Sequence, residues 1–491
     1  MNMNLTMTKK YILGIDGGSQ SSKVVIFDTD GRVVCEASQA LEPLYTPEPG
    51  VVEHPHDDLY DSIVAAASRA MKAFPGDPAD IVGVGLCSIR CCRALTRADG
   101  TLVEPVQSWM DERLSKPYEQ TNDDVVHVTT TSGYLMGRLT GELTDTIANY
   151  IGPWPMDVGT WDWFSDQETF DSFNVSRDML YRLQMPGDIG GFVNEQFAAS
   201  TGIPQGLPVV HTANDKAAEA LGAGLRDETT GLVSLGTYIA GMIVGKEFVA
   251  EPTSFFSNFA SEPHRYIYEC GGIRRGMWTV SWLRNLLGRE ITDGAAAAGM
   301  TGDDFLNAVA SDVPAGSDGL LCVLDWLAPP TKPYKKGMFL GFDERHGYAH
   351  MYRSILEGIA FTMKQNMVNM EEERGITIET LVVSGGGSYS DLCMQIFADV
   401  FGIPVVRNEV RNAAGLGAAI CVAVACGVYP TFDDASSRMV HREDTFQPNV
   451  ENIDLYSQLR AVSVDITAQT DAILQRTHRI LHDRKGAIAH V

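Results

Sequence analysis

The chain has 491 residues and a formal net charge of −25, from 63 acidic and 38 basic residues. This length is too great for one ordinary hydrophobic core and predicts two substantial domains. The acidic balance argues against nucleic acid or an anionic membrane surface as a partner, and no apolar run is long enough to span a bilayer. The first ten residues lack the apolar segment of a signal peptide, and the nine cysteines form no CxxC pair. We therefore expect a cytoplasmic protein with reduced thiols.

Residues 11–28 are typical of two buried strands joined by a turn of small residues. The first apolar run ends at Asp16, and Lys23 stands just before the second run. A turn with so few bulky side chains lets backbone N–H groups approach a phosphate, with Ser19, Ser21 and Lys23 as further donors. Asp16 is placed to hold water around Mg²⁺, which prefers few carboxylates and several waters. A tight β-hairpin without a ligand explains this stretch equally well.

Further polar residues follow a second buried strand, predicted over residues 81–88. Arg90 leaves the carboxyl end of this strand, where ligands bind in open α/β sheets, so it is a candidate for binding substrate hydroxyl groups. Trp109, Asp111 and Arg113 combine an indole with two charged groups, which suits a polyol that stacks its CH face and bonds through its hydroxyls. A surface arginine and a non-functional tryptophan remain alternatives.

Asp215 stands between a predicted strand over residues 208–213 and a helix that begins near Ala217. Its carboxylate therefore lies at a helix N-terminus and faces the strand ends. An N-cap of the helix is the simpler alternative on this observation alone.

The second half of the chain repeats the opening pattern. Residues 231–245 predict a strand, a small-residue turn at Gly236 and Thr237, and a returning strand. A later strand over residues 380–384 is followed by three glycines and a helix, which places backbone donors at a helix N-terminus. The repeat suggests two related domains that each offer a phosphate-binding hairpin.

The order of these elements resembles the actin/hexokinase/heat-shock ATPase superfamily and, within it, the carbohydrate kinases named for their FGGY motif. The resemblance extends from about residue 11 to residue 456. Its most specific parts are the segments 341–361 and 384–399, with Trp109, Asp111 and Arg113 and the segment 134–142 as further landmarks. The stretch around Arg90 resembles a subgroup of sugar kinases whose substrate is not established.

The resemblance implies an α/β fold of two actin-like (ribonuclease H-like) domains, over residues 8–228 and 229–491, that close on a cleft. It implies ATP and Mg²⁺ in this cleft and the phosphorylation of a small sugar or polyol, such as a ketose or pentitol. We expect no nucleic-acid or membrane partner, and a homodimer is a candidate assembly. The alternative function is a pseudokinase or nucleotide switch of the same fold, which binds ATP without sugar turnover.

The resemblance also implies roles for individual residues. Asp215 corresponds to the base that takes the proton of the attacking hydroxyl. Asp16 corresponds to the carboxylate near Mg²⁺, and Asp215 contacts this ion through water or ATP. The implied nucleotide-binding residues are Gly18, Ser19, Gln20 and Lys23 at the terminal phosphates, Gly236 and Thr237 in the second hairpin, and Gly386, Gly387 and Ser390 at the adenosine. The implied acceptor-binding residues are Arg90, Trp109, Asp111 and Lys216.

Lys216 is the main departure from the family pattern, since relatives usually carry glutamine or asparagine after the base. An ammonium here could lower the pKa of Asp215, pair with an anionic acceptor, or face solvent. Two other departures concern the acceptor pocket: Cys91 replaces a commoner acidic or polar residue, and the segment 113–134 is shorter than in relatives.

Overall fold

The computed structural model describes residues 9–152, 154–329 and 331–488. The first eight residues, on which the signal-peptide expectation depends, lie outside this range. The strands are β1 Tyr11–Gly17, β2 Ser21–Asp28, β3 Val33–Ala40, β4 Ile81–Ser88, β5 Ala94–Thr96, β6 His127–Thr129, β7 Thr144–Thr146, β8 Met156–Asp157, β9 Asp162–Trp163, β10 Arg182–Gln184, β11 Ile189–Phe192, β12 Pro208–Asn214, β13 Thr230–Leu235, β14 Ile239–Gly245, β15 Phe255–Phe259, β16 Tyr266–Ile273, β17 Leu321–Val323, β18 Met338–Leu340, β19 Thr380–Ser384, β20 Val405–Asn408 and β21 Arg442–Phe446.

The helices alternate with these strands, as the predicted α/β class requires. They are α1 Asp58–Ala73, α2 Thr131–Thr140, α3 Gln167–Phe173, α4 Glu195–Thr201, α5 Asp215–Gly222, α6 Gly276–Leu287, α7 Arg289–Ala298, α8 Gly302–Ser311, α9 Tyr348–Arg374, α10 Asp391–Phe401, α11 Ala413–Ala425, α12 Phe432–Met439 and α13 Val450–Ile488. No helix within the described ranges combines the length and the apolar character needed to cross a membrane.

The first half of the chain builds a six-stranded sheet in the order β11-β12-β4-β1-β2-β3. β1 and β2 form the predicted antiparallel hairpin, in which Asp16 pairs with Lys23. β4 runs parallel to both β1 and β12, with Ser88 opposite Gly17 on one side and Asn214 on the other. Because the three strands run the same way, their carboxyl ends meet at one edge. Asp16, Arg90 and Asp215 all leave the sheet there.

The second half builds a seven-stranded sheet in the order β15-β16-β14-β13-β19-β20-β21. β13 and β14 form an antiparallel hairpin, and β13 runs parallel to β19, so that Ser234 lies opposite Ser384. The same unit of a hairpin beside a parallel strand therefore occurs in both halves. The internal repeat predicted from the sequence is present in the structure.

Helix α11 belongs to the second half of the chain but packs on the first sheet. Leu416 and Ile420 share a buried core with Ile12 and Phe27 of that sheet. The approach is close because β1 and β4 carry glycines: a Cβ on Gly14 would lie 2.2 Å from the carbonyl oxygen of Gly415. The second half thus supplies part of the first core. The domain boundary after residue 228 stays a prediction.

Helices α5 and α11 also contact each other through their backbones. A Cβ at Gly417 of α11 would lie 1.9 Å from the carbonyl oxygen of Ala218, and one at Gly222 of α5 would lie 1.8 Å from that of Ala413. The small residues at this contact are required because no side chain fits between these helices. The contact fixes α5, whose first residue is Asp215.

Helix α9 buries one stripe of apolar side chains. Tyr352, Ile355, Leu356, Ile359, Met363 and Met367 are all buried. Arg353 donates from Nε to Glu357 Oε1 at 2.9 Å, and the hydroxyl of Tyr456 in α13 donates to the same oxygen at 2.8 Å. The terminal helix α13 begins at Val450 and packs on α9 through this network.

The contact between α5 and α11 generates a stability prediction. We expect Gly417→Ala to lower the thermal unfolding midpoint by several degrees, equivalent to about 1–3 kcal/mol, because the added methyl group overlaps a backbone carbonyl. The matched control is Gly347→Ala, since Gly347 has a negative φ and no atom lies within 4 Å of its Cβ position. Equal unfolding midpoints for Gly417→Ala and the wild-type protein would contradict the tight contact.

Candidate active site

A cavity of about 310 Å³ lies where the carboxyl ends of the two sheets face each other. Nine residues predicted for the site line it: Asp16, Gly18, Ser19, Gln20, Lys23, Asp215, Lys216, Gly236 and Thr237. The two predicted hairpins meet here, since the side-chain amide of Gln20 donates to the Thr237 hydroxyl at 3.2 Å. The structure therefore brings together residues that are 217 positions apart in the chain.

A second cavity of about 730 Å³ adjoins the first and shares Lys23, Gly385, Arg411 and Asn412 with it. Gly386 lines this larger cavity, as predicted for an adenosine site, and no atom lies within 4 Å of its Cβ position. The two cavities are therefore neighbouring parts of one cleft.

Gly387 and Ser390, also predicted at the adenosine site, lie beside the cleft rather than on its surface. A Cβ at Gly387 would meet the side chain of Leu235 at 2.6 Å. The Ser390 hydroxyl accepts from the backbone N–H of Cys393 and donates to Asn307 at 2.6 Å. Ser390 is thus the N-cap of α10, so its hydroxyl has a structural role.

Asp215 is the first residue of α5, and the residue before it settles the alternative left open by the sequence. Asn214 is the N-cap, because its side-chain oxygen accepts from the backbone N–H of Ala217 at 3.1 Å. Asp215 Oδ1 accepts only from the adjacent backbone N–H of Lys216 among the described contacts, at 2.9 Å. Burial raises the pKa of Asp215, and Lys216 and Arg90 oppose this only in part. A raised pKa suits a group that must accept a proton near neutral pH.

Asp16 is buried at the end of β1, opposite Lys23 in the hairpin. Burial raises its pKa to about 6, while Lys23 pulls in the other direction and the neighbouring Asp215 and Glu219 add to the rise. Such a carboxylate is stabilised in its ionised form when a cation is near. In the described part of the chain, no cluster of three or more histidine, cysteine or acidic side chains is arranged to hold a metal ion.

The cleft fits ATP with Mg²⁺ through its set of donors. Two hairpins of small residues, the Thr237 hydroxyl and Lys23 line one side. Arg411 Nε and Asn412 Nδ2 are buried without a hydrogen-bond partner and belong to residues that line both cavities. Asp16 and Asp215 would supply carboxylates for an ion that keeps most of its waters and binds phosphate oxygens, as Mg²⁺ does.

Lys216 lines the cavity, so the solvent-facing alternative is wrong. Its ammonium donates to Glu219 Oε2 and to the Ser234 hydroxyl, both at 2.8 Å. Glu219 was missed by the sequence analysis. The available signal was its position four residues after Asp215, which places both carboxylates on one face of α5.

Arg90 reaches across the cleft to the second sheet. Its guanidinium forms a bidentate ion pair with Glu269 of β16, at 2.7 and 2.8 Å, and the Glu269 side chain is 0% exposed. The ring of Phe256 lies 5.4 Å from the same guanidinium. Although burial disfavours the charged form, Glu269 raises the pKa of Arg90. Sequence reasoning missed both partners because they lie on a different sheet.

Trp109 and Asp111 are not among the residues that line either cavity. The Trp109 side chain is on the surface, 49% exposed. Each oxygen of Asp111 accepts two hydrogen bonds, from the backbone of Val52 and from the backbone and guanidinium of Arg113. Arg113 also binds Glu53 at 2.7 Å. The geometry therefore gives Asp111 a structural role as a loop clamp and does not support its assignment to the acceptor.

Comparison with known proteins agrees with this geometry. The model of the FGGY family of carbohydrate kinases, N-terminal domain, matches residues 11–127 and 114–222, and that of the C-terminal domain matches residues 231–426. The chain is 49% identical, over 98% of both chains, to a protein of Escherichia coli K12 described as the uncharacterised sugar kinase YgcE. It is 24% identical to the xylulose kinase of Lactococcus lactis, over 94% of this chain and 97% of that one.

Two solved structures have the same fold. The xylulose kinase from Rhodospirillum rubrum superposes with a TM-score of 0.79 at 21% identity, over 95% of this chain and all of that one. The gluconate kinase from Lactobacillus acidophilus gives a TM-score of 0.80 at 20% identity, over 96% of this chain and all of that one. These matches confirm the predicted actin-like fold class and the predicted kinase class. The chain belongs to the FGGY family of carbohydrate kinases, which are ATP-dependent phosphotransferases.

Proposed function

We propose that this enzyme transfers the terminal phosphoryl group of ATP, with Mg²⁺, to a hydroxyl group of a small uncharged sugar or polyol, with Asp215 as the general base. One observation carries the proposal: Asp215 lines the same cavity as both hairpins, and its side chain is not used as a helix cap. A base at this position can accept a proton from a hydroxyl that faces the phosphate-binding side.

The residues of the cleft divide the work by position. Asp215 accepts the proton of the attacking hydroxyl, and burial raises its pKa, which suits this role. The backbone N–H groups of the hairpins, the Thr237 hydroxyl and the Lys23 ammonium bind phosphate oxygens, and Asp16 orients the waters of the metal ion. ATP with Mg²⁺ supplies the phosphoryl group and charge neutralisation when bound. Closure of the two halves would exclude water, which otherwise competes as the acceptor.

The ion pairs of the cleft favour an uncharged acceptor. Both cations predicted to touch the acceptor have carboxylate partners: Arg90 binds Glu269, and Lys216 binds Glu219. A carboxylate or phosphate on the acceptor would meet cations whose charge is already offset by a carboxylate, and it would also approach Asp215. The anionic acceptor that Lys216 suggested from sequence is therefore disfavoured. Hydroxyl groups can still bond to the edges of the Arg90–Glu269 pair.

The acceptor panel is the experiment that tests this function. We expect ADP release to depend on a neutral ketose, aldose or polyol. We also expect kcat/KM at least about tenfold higher for a neutral acceptor than for the matching sugar acid, since an unpaired charge costs more than about 1.4 kcal/mol to place here. The measurement is coupled ADP release at fixed ATP and Mg²⁺. Turnover confined to sugar acids or sugar phosphates would contradict the proposal, and slow ADP release that ignores every acceptor would favour the nucleotide switch.

The second prediction concerns the base. Asp215→Asn should reduce kcat by about 10²–10⁴, because the amide keeps the shape but cannot accept the proton. ADP affinity, measured by calorimetry, should stay within about twofold of wild type. Asp465→Asn, at an exposed position of α13, is the matched control. A wild-type kcat in Asp215→Asn would show that Asp215 is not the general base.

The third prediction concerns the second hairpin. Thr237→Val removes the hydroxyl that faces Gln20 across the cleft. The substitution changes the shape of the side chain very little. We expect kcat/KM for ATP to fall tenfold or more, since a hydrogen bond to a charged group contributes about 1.5–3 kcal/mol, while KM for the acceptor stays constant. Thr121→Val, in an exposed loop, is the control. Unchanged ATP kinetics would make this loop a simple hairpin.

A further inference from the structure

The side chain of Lys216 is held in one place by protein contacts. It is 19% exposed, and Nζ lies 2.8 Å from both Glu219 Oε2 and Ser234 Oγ. Ser234 Oγ in turn donates to Glu219 Oε2 at 2.9 Å, which closes a ring of three side chains. An ammonium group has three donors, and these contacts use two of them. One N–H remains for a ligand in the cavity that Lys216 lines.

Glu219 connects helix α5, which carries Asp215, to strands β13 and β19, which lead into loops beside the cavity. Its two oxygens accept from Ser234, at the penultimate position of β13, and from Ser384, the last residue of β19. Thr237 follows closely after β13, and Gly385 follows β19 directly. The position of Lys216 is therefore tied to the loops that line the phosphate side of the cleft.

The acceptor side of the cleft is held by a separate ion pair. There Arg90 binds Glu269, and neither residue lines the cavity that contains Lys216 and the two hairpins. Lys216 shares that cavity with Gly18, Ser19, Gly236 and Thr237. The ammonium thus lies with the phosphate-binding hairpins rather than with the predicted sugar-binding groups.

We propose that Lys216 is a catalytic residue whose free N–H binds the phosphoryl group in flight between ATP and the acceptor, and that Glu219 is its positioning residue. This inference rests on the kinase function proposed above and assigns Lys216 to the phosphate rather than to the acceptor. A transferring phosphoryl group spreads negative charge over its equatorial oxygens, and catalysis depends on placing donors and cations against them. Phosphoryl transfer itself is unchanged: the bond from the terminal phosphorus to its bridging oxygen breaks, the bond to the acceptor oxygen forms, and the acceptor proton passes to Asp215.

The charges around Lys216 explain why the chain carries Lys216 and Glu219 together. Asp16, Asp215 and Glu219 from β1 and α5 face Lys216, and Glu269 of β16 also acts on it. Among the cations, Lys23 lines the same cavity and Arg90 acts on Asp215. Although burial disfavours both charged forms, the pairing raises the pKa of Lys216 and lowers that of Glu219. Glu219 without Lys216 would add a third carboxylate beside the phosphates.

The first test needs no acceptor. Wild type and Lys216→Met are titrated by calorimetry with magnesium ADP alone and with magnesium ADP plus aluminium fluoride, a mimic of the transferring phosphoryl group. We expect Lys216→Met to weaken binding of the fluoride complex by about 10–100-fold, the effect of losing one charged hydrogen bond, and ADP binding to change less than twofold. Lys246→Met, at an exposed lysine of the second half, is the control. Equal weakening of both ligands, or of neither, would overturn the proposal.

Slow hydrolysis of ATP by water gives the second readout. A cation on the phosphoryl group should matter whatever the nucleophile, so we expect the acceptor-independent rate to fall in Lys216→Met by a factor similar to that on sugar turnover. If Lys216 bound the acceptor instead, hydrolysis would stay at the wild-type rate and KM for the acceptor would rise. That pattern overturns the inference but leaves the kinase function intact. Failure of wild type to phosphorylate any neutral acceptor would contradict the proposed function and leave the fluoride result to be judged by itself.

Glu219 is tested through non-additivity. Glu219→Gln keeps the shape but removes the counter-charge, and we expect a smaller loss of fluoride-complex affinity than in Lys216→Met. The double variant should be no weaker than Lys216→Met alone, because Glu219 acts through Lys216. Additive losses would show that Glu219 has an independent role and would overturn its assignment as a positioning residue. If Lys216→Met fails to fold, Lys216→Arg replaces it: it retains the charge with different geometry, and wild-type affinity for the fluoride complex would be evidence against a precisely placed ammonium.

Discussion

Helices α5 and α11 lie so close together that one methyl group at Gly417 or Gly222 would overlap a backbone carbonyl. This contact determines where the active site can be. α11 comes from the second half of the chain and packs on the sheet of the first half, so it holds α5 at the junction of the two sheets. Asp215, Lys216 and Glu219 all project from the start of α5. Their positions relative to the two hairpins therefore depend on backbone packing rather than on flexible loops, which suits chemistry that requires in-line positioning.

Charge pairing is the second constraint on the cleft. The chain carries a formal net charge of −25, and Asp16, Asp215, Glu219 and Glu269 are concentrated near the cleft. Arg90 and Lys216 are each matched to one of these carboxylates. These two cations already have carboxylate partners before a nucleotide arrives, and Asp16 and Asp215 add further negative charge. On the proposed function, the phosphates would be bound by backbone donors, Lys23, the remaining N–H of Lys216 and a divalent ion. The same pairing supports the proposal of an uncharged acceptor.

Much of the fold and part of the site could be predicted because the signals are local. Each hairpin is a contiguous stretch of apolar runs around small residues, and parallel strands place their carboxyl ends at one edge. Glu269 and Phe256 could not be predicted as partners of Arg90, because 179 residues separate Arg90 from Glu269 and only tertiary packing brings the two sheets together. Asp111 shows the opposite error. Its landmark suggested a sugar-binding group, but the nearby Arg113 and the Val52 backbone satisfy its carboxylate. Asn214 rather than Asp215 caps helix α5. The order of the residues in the sequence did not indicate which of the two side chains would be the cap.

The destination of the phosphoryl group shows whether this enzyme phosphorylates a neutral acceptor. ATP labelled with ³²P at the terminal phosphate is incubated with the enzyme, Mg²⁺ and neutral polyols or ketoses, and the products are separated by charge. For at least one of these acceptors, we predict label in an acid-stable organic phosphate monoester, in an amount equal to the ADP formed. Label that appears only as inorganic phosphate, at the same rate with and without every acceptor, would contradict it.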